Sequence, residues 1–332
     1  MMTDLILFAG TANPALATAI ATELGVRLAV CTVDRFPDGE TTVQLGESVR
    51  GRDVFLIQST GPPVNDHLME LLACVDACRR SAAGRIIAVV PYFGYARSDK
   101  RHGRREPINA SLVASLMQAA GIDHVVTVDL HAAQIEGFFH IPVDSLTAVP
   151  TLCQALRDRL PPEAVVVSPD AGRVKMATEY AARLGAPVVV LHKRRGGSAE
   201  TAVTHVVGDV RGRACLIIDD MISTGETLAQ AIKALLAADA RPEITIAATH
   251  GLFIGDALTR LSHETVRRVF ITDTTAQTES TWPPLQVVSV APLLAAAIRQ
   301  IGADGSLGDL FLDAPVPAQA VKAQEGCERQ SC

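Results

Sequence analysis

Several features that would assign this chain to a particular class of protein are missing from its 332 residues. Basic charge is not in excess: 30 Lys and Arg against 36 Asp and Glu give a formal net charge of −6, so no global field attracts nucleic acid. No apolar run approaches the roughly 18 residues of a membrane-spanning helix. The start, MMTDLILFAG, lacks a basic leader before a long apolar core, so we expect no secretion signal. We therefore expect a cytoplasmic protein that binds neither nucleic acid nor membrane.

The 7 cysteines also lack the spacing of a zinc site or of a disulfide framework. Cys74 and Cys78 are close, four residues apart in a helical pattern, and we expect them on one face of a helix. Apolar residues, by contrast, are plentiful at 48% of the chain. This length and composition suit a globular protein of about two domains of roughly 150 residues.

Short apolar runs alternate with segments of helical periodicity along the chain. Strands are predicted over 5–10, 53–60, 85–92, 124–130, 164–169, 187–193, 215–221, 243–251 and 267–273. Helices are predicted over 13–25, 64–83, 107–120 (with Pro107 in the first turn), 172–185, 224–239 and 292–301. Val- and Ile-rich strands separated by helices indicate parallel sheets covered on both faces. We expect a boundary between two halves near 143–150 and a loose tail at the end of the chain.

The stretch CLIIDDMISTGETLA (215–229) places two carboxylates, Asp219 and Asp220, at the end of a predicted strand. In open parallel sheets, ligands bind beyond the carboxyl ends of the strands. Hydroxyl residues and Gly225 then lead into a helix, whose first N–H groups and dipole favour an anion. The pattern is therefore typical of a site for a sugar phosphate. The alternative is an ordinary capped helix start with acids at its positive end, which explains a doubled Asp less well.

Other strand ends carry charged side chains. RSDKRHGRRE (97–106) holds five Arg or Lys in ten residues, which suits a polyphosphate, although a solvated basic loop is the alternative. Asp129 and His131 lie two apart, so an extended chain would direct both to one side. Taken singly, they also suit a surface acid and a partly buried histidine.

Together these segments resemble the ribose-phosphate diphosphokinase (phosphoribosyl diphosphate synthetase) family, from about residue 5 to 311. The matching segments are FPDGE (36–40), ESVRGRDVFLIQST (47–60), PYFGYARSDK (91–100), VDLHAAQIEGFF (128–139), SPDAG (168–172), KRR (193–195) and the stretch 215–229. The resemblance implies an α/β fold of two tandem type I phosphoribosyltransferase-like domains, each a mainly parallel sheet flanked by helices. They would span 1–147 (nucleotide side) and 148–311 (ribose 5-phosphate side), followed by a flexible tail, 312–332.

The resemblance also implies a reaction. The β,γ-diphosphate of ATP would move to the 1-hydroxyl of ribose 5-phosphate, giving 5-phosphoribosyl 1-diphosphate and AMP, with Mg²⁺ as cofactor. The partners would be ATP, ribose 5-phosphate and further copies of the chain, in a hexamer or another dimer-based homo-oligomer. Two alternatives remain: a catalytically silent regulatory homologue and a type I phosphoribosyltransferase.

The site residues implied by the resemblance fall into five groups. The catalytic residues would be Lys193 and Arg195. ATP would contact Phe36, Asp38, Glu40, Arg97, Ser98, Asp99, Lys100 and His131. Ribose 5-phosphate would contact Asp219, Asp220, Ser223, Thr224, Gly225, Glu226 and Thr227. Metal would be held by Asp129 and His131, and a second ion by Asp170. A regulatory site for phosphate or ADP would involve Ser48, Arg50, Arg105, Asp144 and Ser306.

The chain departs from the family pattern at some of these positions. Ser98 stands where the family usually has Gln, and Ser223 where the common enzymes have Asp. Near the regulatory positions, Ser145 replaces Asn and Gly308 replaces Ser. Because a serine hydroxyl can still donate to phosphate, we expect an active enzyme, while control by phosphate or ADP stays open.

Overall fold

The computed structural model describes residues 5–101, 103–194, 203–277, 282–308 and 310, with backbone alone for 193, 194, 203 and 204. Arg195 and the predicted tail, 312–332, therefore lie outside the described residues.

The first half of the chain forms a 5-stranded sheet whose neighbouring strands are all parallel. Its strands, in spatial order, are β1 (Leu5–Ala9), β4 (Asp53–Ile57), β5 (Arg85–Val90), β6 (His124–Val128) and β7 (Val143–Leu146). Strands β2 (Cys31–Arg35) and β3 (Thr41–Leu45) form a separate antiparallel hairpin. Residues 36–40 make the turn of this hairpin, where Phe36 N–H donates to the Glu40 carbonyl over 2.9 Å.

The second half forms a 7-stranded sheet that is parallel except at one edge. Its strands, in spatial order, are β10 (Val203–Val207), β9 (Val188–Arg194), β8 (Val165–Ser168), β11 (Cys215–Ile222), β12 (Ile244–Gly251), β13 (Val266–Thr272) and β14 (Leu285–Val288). Only the pairing of β10 with β9 is antiparallel among these described strands.

Helices connect the strands and cover the sheets. They are α1 (Pro14–Leu24), α2 (Val64–Arg80), α3 (Asn109–Ala120), α4 (Val149–Leu156), α5 (Val174–Leu184), α6 (Glu226–Ala237), α7 (Ala257–Leu261) and α8 (Ala291–Gly302). Short 3₁₀ turns occupy Ala133–Phe138 and Ala171–Arg173. Within the described ranges, none of these helices has the length and apolar content to cross a bilayer.

The alternation predicted from the sequence is confirmed for every predicted strand and helix, with shifts of a few residues at the ends. One detail is wrong: α3 begins at Asn109, so Pro107 precedes the helix rather than lying in its first turn. Cys74 and Cys78 do share the buried face of α2, as the spacing predicted.

The hydrophobic core is continuous between the two halves. One cluster joins Leu16 and Ile20 of α1 to Leu152 of α4 and to Leu294 and Ile298 of α8. Helix α8, almost the last element in the chain, packs directly on α1, the first helix. This packing brings the two sheets together and fixes how their strand ends face each other.

Candidate active site

The two predicted carboxylates lie near the carboxyl end of β11, the central strand of the second sheet. The side chain of Asp220 is 2% exposed and that of Asp219 is 13% exposed. After Ile222 the chain passes through Ser223, Thr224 and Gly225, and α6 begins at Glu226. Gly225 caps the helix with φ +73°, a left-handed conformation that favours glycine.

The turn between β11 and α6 is anchored by the segment that follows β12. The amide of Ile254 donates to the Ser223 carbonyl over 2.9 Å, and Arg260 Nη1 donates to the Thr224 carbonyl over 3.0 Å. The turn encloses a cavity of about 220 Å³. Its lining comprises Arg97, His131, Asp170, Arg173, Asp219, Asp220 and residues 221–228.

Two side chains from the first half reach this cavity. Arg97 follows β5, and its Nη1 lies 3.3 Å from Ser223 Oγ. His131 follows β6, and its Nδ1 lies 2.6 Å from Asp220 Oδ2. Arg97 also lines a second cavity of about 680 Å³, together with Tyr92, Tyr95, Ser98 and Lys100. The carboxyl ends of the two sheets therefore border one cleft, in which a basic loop meets an acid pair.

Arg173, which was not among the predicted site residues, is the cation beside the acid pair. Its Nε lies 3.1 Å from Asp219 Oδ1, and its Nη2 lies 2.8 Å from Asp220 Oδ1. Its Nη1 donates to the carbonyl of His131 over 3.2 Å. With the His131 Nδ1 proton directed at Asp220, the 2.8 Å approach of Arg173 Nη2 to that nitrogen is a contact rather than a second hydrogen bond. The only sequence signal was an arginine directly after SPDAG.

The pKa values of the two acids shift in opposite directions. Burial, followed by the neighbouring charge of Asp220, raises the pKa of Asp219 well above its usual value. For Asp220, burial also disfavours the charge, but the hydrogen bond from His131 and the charge of Arg173 outweigh it and lower the pKa to about 2. Asp220 is therefore the carboxylate that stays ionised most readily.

Asp129 is held by residues of the second half. Its Oδ2 accepts hydrogen bonds from Thr249 Oγ1 over 2.6 Å and from the Ala148 amide over 3.0 Å. His250 Nε2 lies 3.2 Å from the Asp129 carbonyl, and burial lowers the pKa of this histidine. The expectation that Asp129 and His131 belong to an extended segment is wrong, because Asp129 has φ +42°. Thr249 and His250 were not among the predicted site residues, and their only signal in the sequence was a polar pair ending an apolar strand.

The basic loop after β5 uses some of its polar groups internally. Asp99 is buried and accepts hydrogen bonds from Gln134 Nε2 and, over 3.3 Å, from Lys100 Nζ. Ser98 Oγ accepts from the Asn109 amide over 3.1 Å and so satisfies one of the free amides at the start of α3. The serine that replaces the family glutamine therefore has a structural partner.

Other predicted site residues lie apart from the cleft. Phe36, Asp38 and Glu40 are at the exposed tip of the β2–β3 hairpin, outside both cavities. The five proposed regulatory residues do not line these cavities either, and two of them have local partners: Asp144 pairs with His124 over 2.6 Å, and Ser306 Oγ accepts from the Gly308 amide. Lys193 lies on β9, paired in register with Thr204.

The predicted metal ligands do not form a single cluster. Within the part of the chain that the structure describes, no group of three His, Cys, Asp or Glu side chains has the arrangement of a metal site. Asp170 Oδ1 accepts from the Gly172 and Arg173 amides, just as Asp129 Oδ2 is engaged by Thr249. Each carboxylate thus has one oxygen fixed by the protein. This donor set fits Mg²⁺, which usually takes one or two carboxylates and completes its shell with phosphates and water.

These features first define a class: α/β proteins with two tandem phosphoribosyltransferase-like sheets. The chain belongs, within this class, to the ribose-phosphate pyrophosphokinase family. The family model for the N-terminal domain of ribose phosphate pyrophosphokinase matches residues 5–121, and that for the phosphoribosyl synthetase-associated domain matches residues 198–312. Both the resemblance noted from the motifs and the expectation of an enzyme are thereby confirmed.

Individual relatives agree with this membership. The chain is 46% identical over 311 residues to a ribose-phosphate pyrophosphokinase of Chromobacterium violaceum, covering 93% of this chain and 95% of the relative. It is 47% identical over 312 residues to that of Corynebacterium efficiens, with 93% and 96% covered. The crystal structure of phosphoribosylpyrophosphate synthetase from Mycobacterium smegmatis has a TM-score of 0.85 and 44% identity, covering 91% of this chain and all of the other.

Proposed function

We propose that this chain transfers the β,γ-diphosphate of ATP to the 1-hydroxyl of ribose 5-phosphate, giving 5-phosphoribosyl 1-diphosphate and AMP for nucleotide biosynthesis. The observation that carries this proposal is the meeting of the two strand-end loops. Arg97 contacts Ser223, and His131 contacts Asp220, so a nucleotide on one side and a pentose on the other would share a cleft. Such transfers depend mainly on positioning and on charge stabilisation.

Ribose 5-phosphate would lie on the second half, residues 148–311. Asp219 and Asp220 accept hydrogen bonds from its ring hydroxyls. The 5-phosphate lies at residues 223–227, where a helix start and the hydroxyls of Ser223, Thr224 and Thr227 supply donors. The cavity of about 220 Å³ at this turn supports the assignment.

ATP would lie on the first half, residues 1–147. Arg97 and Lys100 meet its phosphates, and the cavity of about 680 Å³ beside them has room for a nucleotide. The hairpin residues Phe36, Asp38 and Glu40 lie outside that cavity, so we propose that they bind adenine in a neighbouring copy. This arrangement requires self-association, for which we propose a hexamer or another dimer-based homo-oligomer.

Magnesium would be held at Asp129 and His131, with a second ion at Asp170. When bound, Mg²⁺ would supply positive charge that offsets part of the charge of the phosphates. Thr249 and the Ala148 amide both donate to Asp129 Oδ2. These two hydrogen bonds fix the orientation of the carboxylate and leave Oδ1 for the ion. Lys193 and Arg195 stabilise the negative charge that shifts toward the departing AMP oxygen when the 1-hydroxyl attacks the β-phosphorus.

The rival functions predict different chemistry. A phosphoribosyltransferase consumes the activated sugar and does not need the basic loop after β5. A silent homologue would not need the charged residues of the cleft, and their retention together with the family relationship favours the catalytic function.

One assay separates these possibilities. The purified chain is incubated with ATP, ribose 5-phosphate and Mg²⁺, and AMP and 5-phosphoribosyl 1-diphosphate are quantified. We expect both products in equal amounts and neither when ribose 5-phosphate is omitted. ADP formation in place of AMP, or no turnover by protein that is folded and binds ATP, would reject the proposal.

A further inference from the structure

We infer that Arg173 is a positioning residue for ribose 5-phosphate, which holds Asp219 and Asp220 in the orientation that meets the sugar hydroxyls and ties them to His131 of the first half. This inference rests on the proposed function, because it assigns the sugar to the acid pair. Arg173 lies at the end of the 3₁₀ turn after Asp170, and its side chain is 16% exposed.

The guanidinium joins three separate strand ends. Nε reaches Asp219 at 3.1 Å and Nη2 reaches Asp220 at 2.8 Å, both on β11, while Nη1 reaches the carbonyl of His131 after β6 at 3.2 Å. The turn that carries Arg173 follows β8, the neighbour of β11. A guanidinium has donors arranged in a planar fork and can bind three acceptors at once, which a lysine ammonium cannot do with the same geometry.

These contacts leave one carboxylate oxygen for a ligand. Asp219 Oδ1 accepts from Arg173 and from the Asp220 amide over 2.9 Å. Both oxygens of Asp220 are engaged, Oδ1 by Arg173 and Oδ2 by His131. Among the described residues, no N–H donor contacts Asp219 Oδ2, although the two carboxyl groups also interact with each other. The sugar hydroxyls would therefore bind first to Asp219 Oδ2, and the engaged oxygens of Asp220 would accept through their remaining lone pairs.

Asp219 and Asp220 need this cation because their carboxylates are buried. Two adjacent carboxylates repel each other, and a buried charge without a partner is costly. Within the described ranges, Arg173 is the only Lys or Arg side chain that forms an ion pair with either acid. Ribose hydroxyls are neutral and cannot replace it, so Arg173 remains in place when the sugar binds.

The alternative is that Arg173 occupies the sugar site and must leave before the sugar binds. The two possibilities predict opposite signs for the affinity. Loss of a positioning residue weakens ribose 5-phosphate binding, whereas loss of a competing side chain strengthens it. A merely structural role would leave the affinity of folded protein unchanged.

The test compares Arg173→Met with Arg173→Lys, and uses Lys175→Met as the matched control. Lys175 lies two residues further on and is exposed. Binding of ribose 5-phosphate is measured by calorimetry in the presence of Mg²⁺ and α,β-methylene ATP, whose α–β bridge cannot be cleaved. Steady-state kinetics give KM and kcat in parallel, and circular dichroism confirms that each variant is folded.

We expect Arg173→Met to weaken ribose 5-phosphate binding roughly 10- to 100-fold, the range of one or two charge-assisted hydrogen bonds. Arg173→Lys should restore part of that loss, and Lys175→Met should match the wild type. Unchanged or tighter binding by folded Arg173→Met would overturn the inference while leaving the proposed function intact. Failure of the wild type itself to form AMP would instead reject the proposed function.

If Arg173→Met does not fold, Arg173→Ala is assayed with added guanidinium ion. A positioning role predicts recovery of turnover at low sugar concentration, because the free cation can occupy the vacated place between the acids. No recovery in folded Arg173→Ala would count against the inference.

Discussion

Single residues in this cleft depend on partners from the other half of the chain. Asp129, which follows β6, accepts a hydrogen bond from Thr249 of β12, and His131 meets Asp220 of β11. Residue types and strand-end positions could be predicted from the sequence, because ligands bind at the carboxyl ends of parallel strands. The pairings could not, because they depend on how the two sheets pack. Arg173 was not predicted for this reason, because its partners, His131, Asp219 and Asp220, are at least 42 residues away in the sequence.

Lys193 provides a test of the proposed charge stabilisation. Lys193→Ala should lower kcat about 10²- to 10³-fold, the effect of removing one preorganised donor in a transition state. The binding of ribose 5-phosphate should change little, since the acid pair and the 223–227 turn remain. The measurement is the AMP-formation rate under saturating substrates, and near-normal turnover would refute the role.

Thr249 should act on metal binding through Asp129. Thr249→Val removes the 2.6 Å hydrogen bond to Asp129 Oδ2 while keeping the side-chain volume. We expect the folded state to lose about 1–3 kcal/mol, the cost of leaving a buried polar group without its partner. The Mg²⁺ concentration needed for half-maximal activity should rise. Chemical denaturation and a Mg²⁺ titration measure the two effects.

Thr245→Val is the matched control for that prediction. Thr245 is also buried on β12 but lies near the opposite end of the strand. Its substitution should leave the Mg²⁺ requirement unchanged. If both variants shifted the titration equally, the effect would belong to the strand and not to the contact with Asp129.

Among the elements, the turn from β11 into α6 depends on a glycine with a left-handed backbone. Gly225 has φ +73°, and an added Cβ would lie 3.3 Å from Leu261 Cγ. Gly225→Ala should destabilise the protein by about 1–3 kcal/mol because of the left-handed backbone and this close contact. It should also raise KM for ribose 5-phosphate, because the phosphate donors are on this turn.

Gly185→Ala separates these two causes. Gly185 ends α5 with φ +67°, and its added Cβ would meet nothing within 4 Å. We expect it to lose stability through the backbone alone and to keep the wild-type KM. Melting temperatures and KM values of the two variants would be compared, and an unchanged KM in Gly225→Ala would contradict the proposed phosphate position.

The elements found from the sequence share a strong local signal. Buried strands such as β11 are apolar runs, and helices such as α2 carry a long apolar stripe. The β2–β3 hairpin was missed because it alternates polar and half-buried residues, as in CTVDR. Helix α4 was missed because its 8 residues are too few for the helical periodicity to be recognised in the sequence. Strands β7, β10 and β14 and helix α7 are 4 or 5 residues long, and polar residues interrupt the apolar run of each of these strands, as in VDSL.

The whole molecule should unfold as one cooperative unit, because its core runs between the two halves. The chain has 1 tryptophan, Trp282, which lies near β14 and packs against Phe253, so its fluorescence reports on the second half. Far-UV circular dichroism reports on both halves. We expect the two signals to give the same urea midpoint, although chains with two domains often unfold in separate steps.

Ile20→Ala, in α1, tests this coupling from the first half. The substitution should cost about 2–5 kcal/mol, as for other buried aliphatic residues. Because α1 packs on α8, the tryptophan midpoint should fall together with the circular dichroism midpoint. A tryptophan transition that stays at its wild-type midpoint would show that the halves unfold independently.

The packing of α8 on α1 has a consequence for biosynthesis. During translation, Leu16 and Ile20 are synthesised long before Ala291–Gly302, the helix that packs on them. At a translation rate of about 5–20 residues per second, the nascent chain would expose this hydrophobic surface for many seconds. A chaperone that recognises such surfaces would find its target at the beginning of the chain, and would be released only when translation is nearly finished.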